Sequence, residues 1–239
     1  MKIYAISDTH GHLPAVPPCD VLVIAGDVVP LSLQRSMLGS IWWLNTTFID
    51  WIDSINCKKA ILIAGNHDFV FDTQWGDFNK DELKKSKKLV YLAQNESYEY
   101  GGKTFYSFPW TPVLRGWAFY ADNDKIKSEC KKIPQKIDVL ISHCPPKIGT
   151  AGVVMQNHYN HGRDFGCPEL AEAINSRDIK CAFFKDQIMF AINTQKDFFE
   201  LGSLFVPMSD TRQIEKFYNE IIAIYDMIDY FKLNEKTGL

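Results

Sequence analysis

Short apolar runs that stop abruptly at polar side chains recur along the chain. Residues 2–7 read as a first short strand. Residues 20–25 (DVLVIA), 59–64 (KAILIA) and 138–142 (DVLIS) are nearly all apolar, the pattern of strands buried on both faces. Between residues 25 and 59, residues 31–55 carry Trp42, Trp43, Ile49 and Ile52 on apolar positions and predict one or two helices. A lysine-rich stretch at 80–88 predicts another helix with a solvated face.

The middle of the chain changes style. Residues 89–92, 98–100 and 104–108 predict short strands, with Gly101-Gly102 as a hairpin turn. Residues 122–132 predict a helix that ends before Pro134, and residues 168–175 a helix opened by Pro168. Residues 181–184 and 188–192 predict two strands around a turn at Lys185-Asp186-Gln187. From 210 to 233, Ile214, Phe217, Tyr218, Ile221, Ile224, Tyr225, Ile228 and Phe231 fall on one helical face. That helix is expected to pack on its own domain, with a homodimer contact as the other use. Strands alternating with helices make the fold class layered α/β, with a mixed sheet or two sheets at its centre.

Composition narrows the classes. Of the 239 residues, 46% are hydrophobic and 23% charged, enough for a sizeable core. A formal net charge of -3 lacks the footprint of a dedicated nucleic-acid binder, while a small nucleotide needs only a local positive site. The six cysteines form no CxxC pair and no zinc knuckle. No long apolar leader and no run of membrane-spanning length is present. The expectation is a cytoplasmic protein with reduced thiols and no membrane partner.

The chemistry sits where the strands stop. The first meets Asp8-Thr9-His10, the second Gly26-Asp27, the third Gly65-Asn66-His67-Asp68, and the fourth His143. In open α/β sheets, ligands bind beyond the carboxyl ends of the strands. If the four strands lie side by side, carboxylate, imidazole and amide groups converge there, a set suited to divalent ions. Two such ions against two carboxylates leave positive charge to attract a phosphate group.

DTH at 8–10, GD at 26–27, GNHD at 65–68 and SH at 142–143, in that order, resemble the calcineurin-like metallophosphoesterase superfamily. The segments FPWTP at 108–112 and GCPEL at 166–170 resemble its branch of small metallophosphoesterase-domain proteins. The resemblance covers about residues 1–180. It implies two central mixed β-sheets flanked by helices; with the helical period at 210–233, the expected division is a metallophosphoesterase domain over 1–208 and a C-terminal helical extension at 209–239 packing on the same domain. By the same resemblance Asp8 and His10 hold one metal, Asp27 bridges two, and Asn66 and His143 hold the second. His67 acts as leaving-group acid, and Asp68 orients it. The implied reaction is hydrolysis of a phosphomonoester or phosphodiester by in-line attack of a metal-bound hydroxide. Its cofactor is one or two divalent ions, Mn²⁺ first, with Fe, Zn, Ni or Mg as alternatives. Its partner is a small phosphate ester.

The chain departs from the family in one respect. A late GHxH motif, which gives one histidine to each metal, is missing: the six histidines are at 10, 12, 67, 143, 158 and 161. The turn at 185–187 reads as a shortened hairpin in its place. Candidate substitutes are His158 and His161, or Asp186. The loss opens a second class of function, a catalytically weak or inactive phosphoesterase fold used for binding or as a scaffold.

Overall fold

A computed structural model describes residues 1–76, 78, 83, 86–112, 114–153, 162–184, 187–190, 198–201 and 204–207, the last three spans by backbone alone. Two sheets form its centre. The first joins β1 (Ile3–Ile6), β2 (Cys19–Ala25), β3 (Cys57–Ile63) and β4 (Leu89–Tyr91) in that spatial order, every pair parallel. From Val21 to Ala25 and from Ala60 to Ile63 no side chain is more than slightly exposed. Such uninterrupted burial is what an all-parallel sheet covered on both faces demands.

The second sheet contains β5 (Ser97–Tyr100), β6 (Lys103–Phe108), β7 (Lys136–Ser142), β8 (Asp178–Phe184), β9 (Gln187–Phe190), β10 (Phe198–Leu201) and β11 (Leu204–Pro207). Its order is β10-β11-β9-β8-β7-β6-β5. It is mixed: β6, β7 and β8 run parallel, β5 pairs antiparallel to β6 and β9 antiparallel to β8, β11 runs parallel to β9, and β10 pairs antiparallel to β11. The expected pair of flanked sheets is therefore present, one of them wholly parallel. The β10–β11 hairpin was not foreseen, although Gly202-Ser203 between FFEL and LFVP is a hairpin signal.

The helices differ in one instructive place. The chain enters α1 (Met37–Trp43) only at Ser36, whose hydroxyl caps Gly39 N–H, later than the apolar pattern from 31 implied. A π-helical turn at Leu44–Phe48 then joins it to α2 (Ile49–Ser54). The Thr46 hydroxyl donates to the Trp42 carbonyl at 2.8 Å, the kind of side-chain intrusion that disturbs an α-ladder. The extra residue brings Trp43, Leu44, Phe48, Ile49 and Ile52 together in the core. It leaves Trp42 64% exposed, against the expectation that this tryptophan packs inside.

Further on, α3 (Asn123–Lys132) is capped by Asp122, which accepts Lys125 N–H at 2.9 Å, and it stops before Pro134. In α4 (Pro168–Asn175) proline is the first helical residue. It needs no N–H there, because that group would have no intrahelical partner. At the lysine-rich stretch, 86–88 form a bend rather than a helix, and 79–82 and 84–85 lie outside the described residues. So do the expected C-terminal helix and the 209–239 extension. No helix among the described residues is long and apolar enough to cross a membrane, and all six cysteines are free.

Candidate metal centre

The parallel ladder of β1 and β2 continues past the strand ends as a zipper of turns. Asp8 N–H donates to Gly26 O at 3.0 Å, His10 N–H to Asp27 O at 2.9 Å and Gly11 N–H to Val28 O at 2.9 Å. To make these bonds Asp8, His10 and Asp27 adopt positive φ of 53°, 45° and 57°. Non-glycine residues hold such angles only when the surroundings over-determine them, and they gather at functional sites.

Asp27 is the centre of the arrangement and is completely buried. Its Oδ1 accepts His67 N–H at 2.7 Å. Its Oδ2 faces three imidazole Nε2 atoms: His143 at 3.4 Å, His10 at 3.9 Å and His67 at 3.9 Å. Two ligand-competent groups share this carboxylate, Asp8–Asp27–His143 and His10–Asp27–His67, each with its ligand atoms within 4.8 Å of one another. Asp27 belongs to both groups, while Asp8 and His10, expected on the same metal, fall in different ones.

The second sheet contributes His143, brought across by the close approach of β7 to β2. Its Nδ1 lies 2.8 Å from the Ala25 carbonyl, an acceptor, so Nδ1 carries the proton. Nε2 then points at Asn66 Oδ1 at 2.9 Å and at Asp27 Oδ2 at 3.4 Å, so that an imidazole nitrogen, an amide oxygen and a carboxylate oxygen meet where a divalent cation could be held. The donor set of carboxylate, imidazole and amide oxygen fits such an ion. Two glycines make the approach possible. A Cβ on Gly65 would lie 2.7 Å from His143 Cε1, and one on Gly26 the same distance from His143 Nδ1.

Asp68 takes a different place from the one the resemblance implies. Its carboxylate is fully buried and accepts four backbone N–H groups. Asp27 N (2.7 Å) and Gly65 N (2.9 Å) reach Oδ2, while Val28 N and Val29 N (3.0 Å each) reach Oδ1. It therefore fixes the backbone that carries the ligands, and not the His67 ring. Burial and the neighbouring Asp27 carboxylate push its pKa up, to about 7, against the pull of those N–H donors.

The ring of His67 is oriented instead by Gln34, whose Oε1 sits 2.5 Å from His67 Nδ1. Trp117 also lies against the His67 ring, at 4.4 Å between ring centroids and tilted by 53°. Nothing in the sequence marked Gln34, because it lies in a turn far from the motif it serves.

The structure also bears on the missing motif. β8 runs beside β7 with Phe183 next to Ile141, so it ends on the side of the sheet where His143 stands. There Phe184 pairs directly with Gln187 of β9, which leaves two residues between the strands. Asp186, His158 and His161 lie outside the described residues. His12, the remaining histidine, is exposed, and Cys144 is buried beside His143.

A family model described as calcineurin-like phosphoesterase matches residues 1–184. A second, described as a protein of unknown function (DUF3137), matches residues 168–233. Among curated proteins, metallophosphoesterase domain-containing protein 1 of Homo sapiens is 27% identical over 198 residues, 74% of this chain and 56% of its own. One UPF0046 protein of Caenorhabditis elegans is 25% identical over 74% of this chain and 48% of its own. Another from that organism is 31% identical over 74% and 64%. The chain thus spans about half the length of the curated relatives it matches. With the motif-bearing strand ends all inside the matched span, the chain belongs to the calcineurin-like phosphoesterase family.

Proposed function

We propose that this protein hydrolyses a small phosphate ester, mono- or diester, at the centre formed by Asp8, His10, Asp27, Asn66, His67 and His143. The observation that carries this reading is the convergence of three imidazole Nε2 atoms on one buried Asp27 carboxylate, with the Asn66 amide oxygen 2.9 Å from the His143 Nε2. Divalent ions in such a set, Mn²⁺ being the first candidate and Fe, Zn, Ni or Mg the others, supply a nucleophile at neutral pH and charge against the phosphate oxygens.

The chain's own residues do the rest. Asp8, His10 and Asp27 would hold one ion, and Asp27, Asn66 and His143 the other. His143, its Nδ1–H fixed on the Ala25 carbonyl, presents only Nε2 to the centre. As an imidazolium His67 gives its Nδ1–H to Gln34 and carries its second proton on Nε2, which it would hand to the departing oxygen, leaving the neutral Nδ1–H ring. That is the ordinary use of a histidine held within reach of a leaving group.

A second reading is favoured by the short β8–β9 connection. Without a histidine from that loop each ion keeps three protein ligands, counting Asp27 twice, and the fold could serve for binding with little or no turnover. One experiment separates the two: protein purified with Mn²⁺, its metal counted per chain, and hydrolysis of bis(4-nitrophenyl) phosphate compared between wild type and His67→Ala. Two metals with turnover that collapses in His67→Ala support the enzyme. Less than one metal and no turnover with any of the five ions would sink it.

A further inference from the structure

Beside His67 stands a wall that the hydrolytic centre does not use. Phe69 is buried at its base, 5.9 Å from Trp117 and edge-on to Trp75 at 5.0 Å and 86°. The guanidinium of Arg35 lies over all three rings, its Cζ 4.3 Å from the Phe69 centroid, 5.3 Å from Trp117 and 5.8 Å from Trp75. Arg35 is exposed and Trp117 half-buried, and Trp75 is 45% exposed. An apolar face and a cation are thus both offered to solvent next to the site.

The wall is built to hold its shape. The Asp72 carboxylate accepts Phe119 N–H at 2.8 Å and Gln74 N–H at 3.0 Å, which ties the turn carrying Trp117 to the turn carrying Trp75. Arg35 follows Gln34 directly, so one short turn both orients His67 and places the guanidinium. A guanidinium stacked on ring faces keeps its N–H edge in plane, available to an anionic or carbonyl oxygen. Such preorganisation lowers the ordering cost of a ligand that docks there.

We propose that Trp117, Trp75 and Arg35 form the leaving-group subsite, which takes a flat aromatic leaving group stacked on Trp117 with its polar edge toward Arg35. This rests on the proposed hydrolysis, because His67 as leaving-group acid is what puts the departing group on this side. Esters of simple alkyl alcohols meet neither the stack nor the cation, and the subsite discriminates against them.

The test is calorimetric binding of phenylphosphonate and methylphosphonate to the Mn²⁺-loaded full chain. These probes share the phosphonate and differ in the ring. Wild type is expected to prefer phenylphosphonate by about three- to tenfold, the span that one aromatic pair supplies. Arg35→Ala and Trp117→Leu should each erode that preference, while Trp117→Phe retains most of it. Equal affinities in wild type, or a preference that survives both Arg35→Ala and Trp117→Leu, overturn the subsite and leave the centre standing. Binding of neither phosphonate by wild type overturns the centre and the subsite together.

Discussion

The Asp68 carboxylate accepts N–H groups from Asp27, Val28, Val29 and Gly65, four donors on two loops that would otherwise be buried without acceptors. In Asp68→Asn, one oxygen becomes an NH₂ group and at least two N–H donors lose their partner. Unsatisfied buried donors cost about 1–3 kcal/mol each, so the loss of two should cost about 2–6 kcal/mol. That corresponds to a Tm lower by roughly 4–24 °C for a chain of this size, read by calorimetry on metal-free protein. An unchanged Tm would show that the four bonds do not hold the loops. Gln34 acts at the same scale on a single ring. Since the hydrogen bond at one nitrogen sets the tautomer of the other, metal-free wild type should show His67 protonated at Nδ1 in its imidazole ¹⁵N spectrum. Gln34→Leu should shift the population toward Nε2–H, and an identical spectrum would remove Gln34 from the positioning role.

At the scale of elements, the ladders rely on side chains that tie strands together away from the centre. Asp138 on β7 accepts Thr104 N–H of β6 at 3.0 Å and the Lys180 ammonium of β8 at 2.6 Å, with Lys103 at 3.4 Å. Burial pushes its pKa up, but the Lys180 hydrogen bond, Thr104 N–H and the Lys103 charge outweigh it and hold the carboxyl below its ordinary 3.8. A depressed folded pKa contributes stability that is fully present above the unfolded value and lost as pH falls through the folded one. Asp138→Asn should therefore cost about 1 kcal/mol near neutral pH. Its gap to wild type should stay constant down to the ordinary carboxylate range and close below it. Urea unfolding across that range reads this directly, and a gap that widens in acid would refute the assignment. How the elements meet was partly legible in advance. The buried runs of β2, β3 and β7 announced themselves because the stretches covered on both faces are almost wholly apolar. The π turn at 44–48 did not, since it arises from one hydroxyl competing for a carbonyl.

For the whole molecule, the site exists only because two sheets face each other. Asp8, Asp27 and Asn66 arrive from the parallel sheet and His143 from the mixed one, and the Ala25 carbonyl to His143 Nδ1 contact is the stitch between them. The ligand count is then limited by the connection after β8, which ends beside β7. Inserting a Gly-His-Val-His loop between Phe184 and Gln187 should restore imidazole donors at the open side. Changes around a metal shift affinity by about 10–100-fold, and a gain of at least that order in Mn²⁺ affinity is expected by competition with a chelator. No gain would mean that the loop does not reach the centre.

The sequence by itself determined which strands are buried and which residues stand at their ends, because burial on both faces and abrupt polar stops are written in single residues and their neighbours. Motif order along the chain pointed to the family on the same local basis. Only the tertiary structure decided that Asp68 serves backbone N–H groups and not His67, that Gln34 and Trp117 flank His67, and that Arg35 lies over the neighbouring rings. Those relations join positions tens of residues apart, through backbone groups that every residue carries and through turns without a pattern. A one-dimensional pattern holds no trace of such a contact until the chain has folded back on itself.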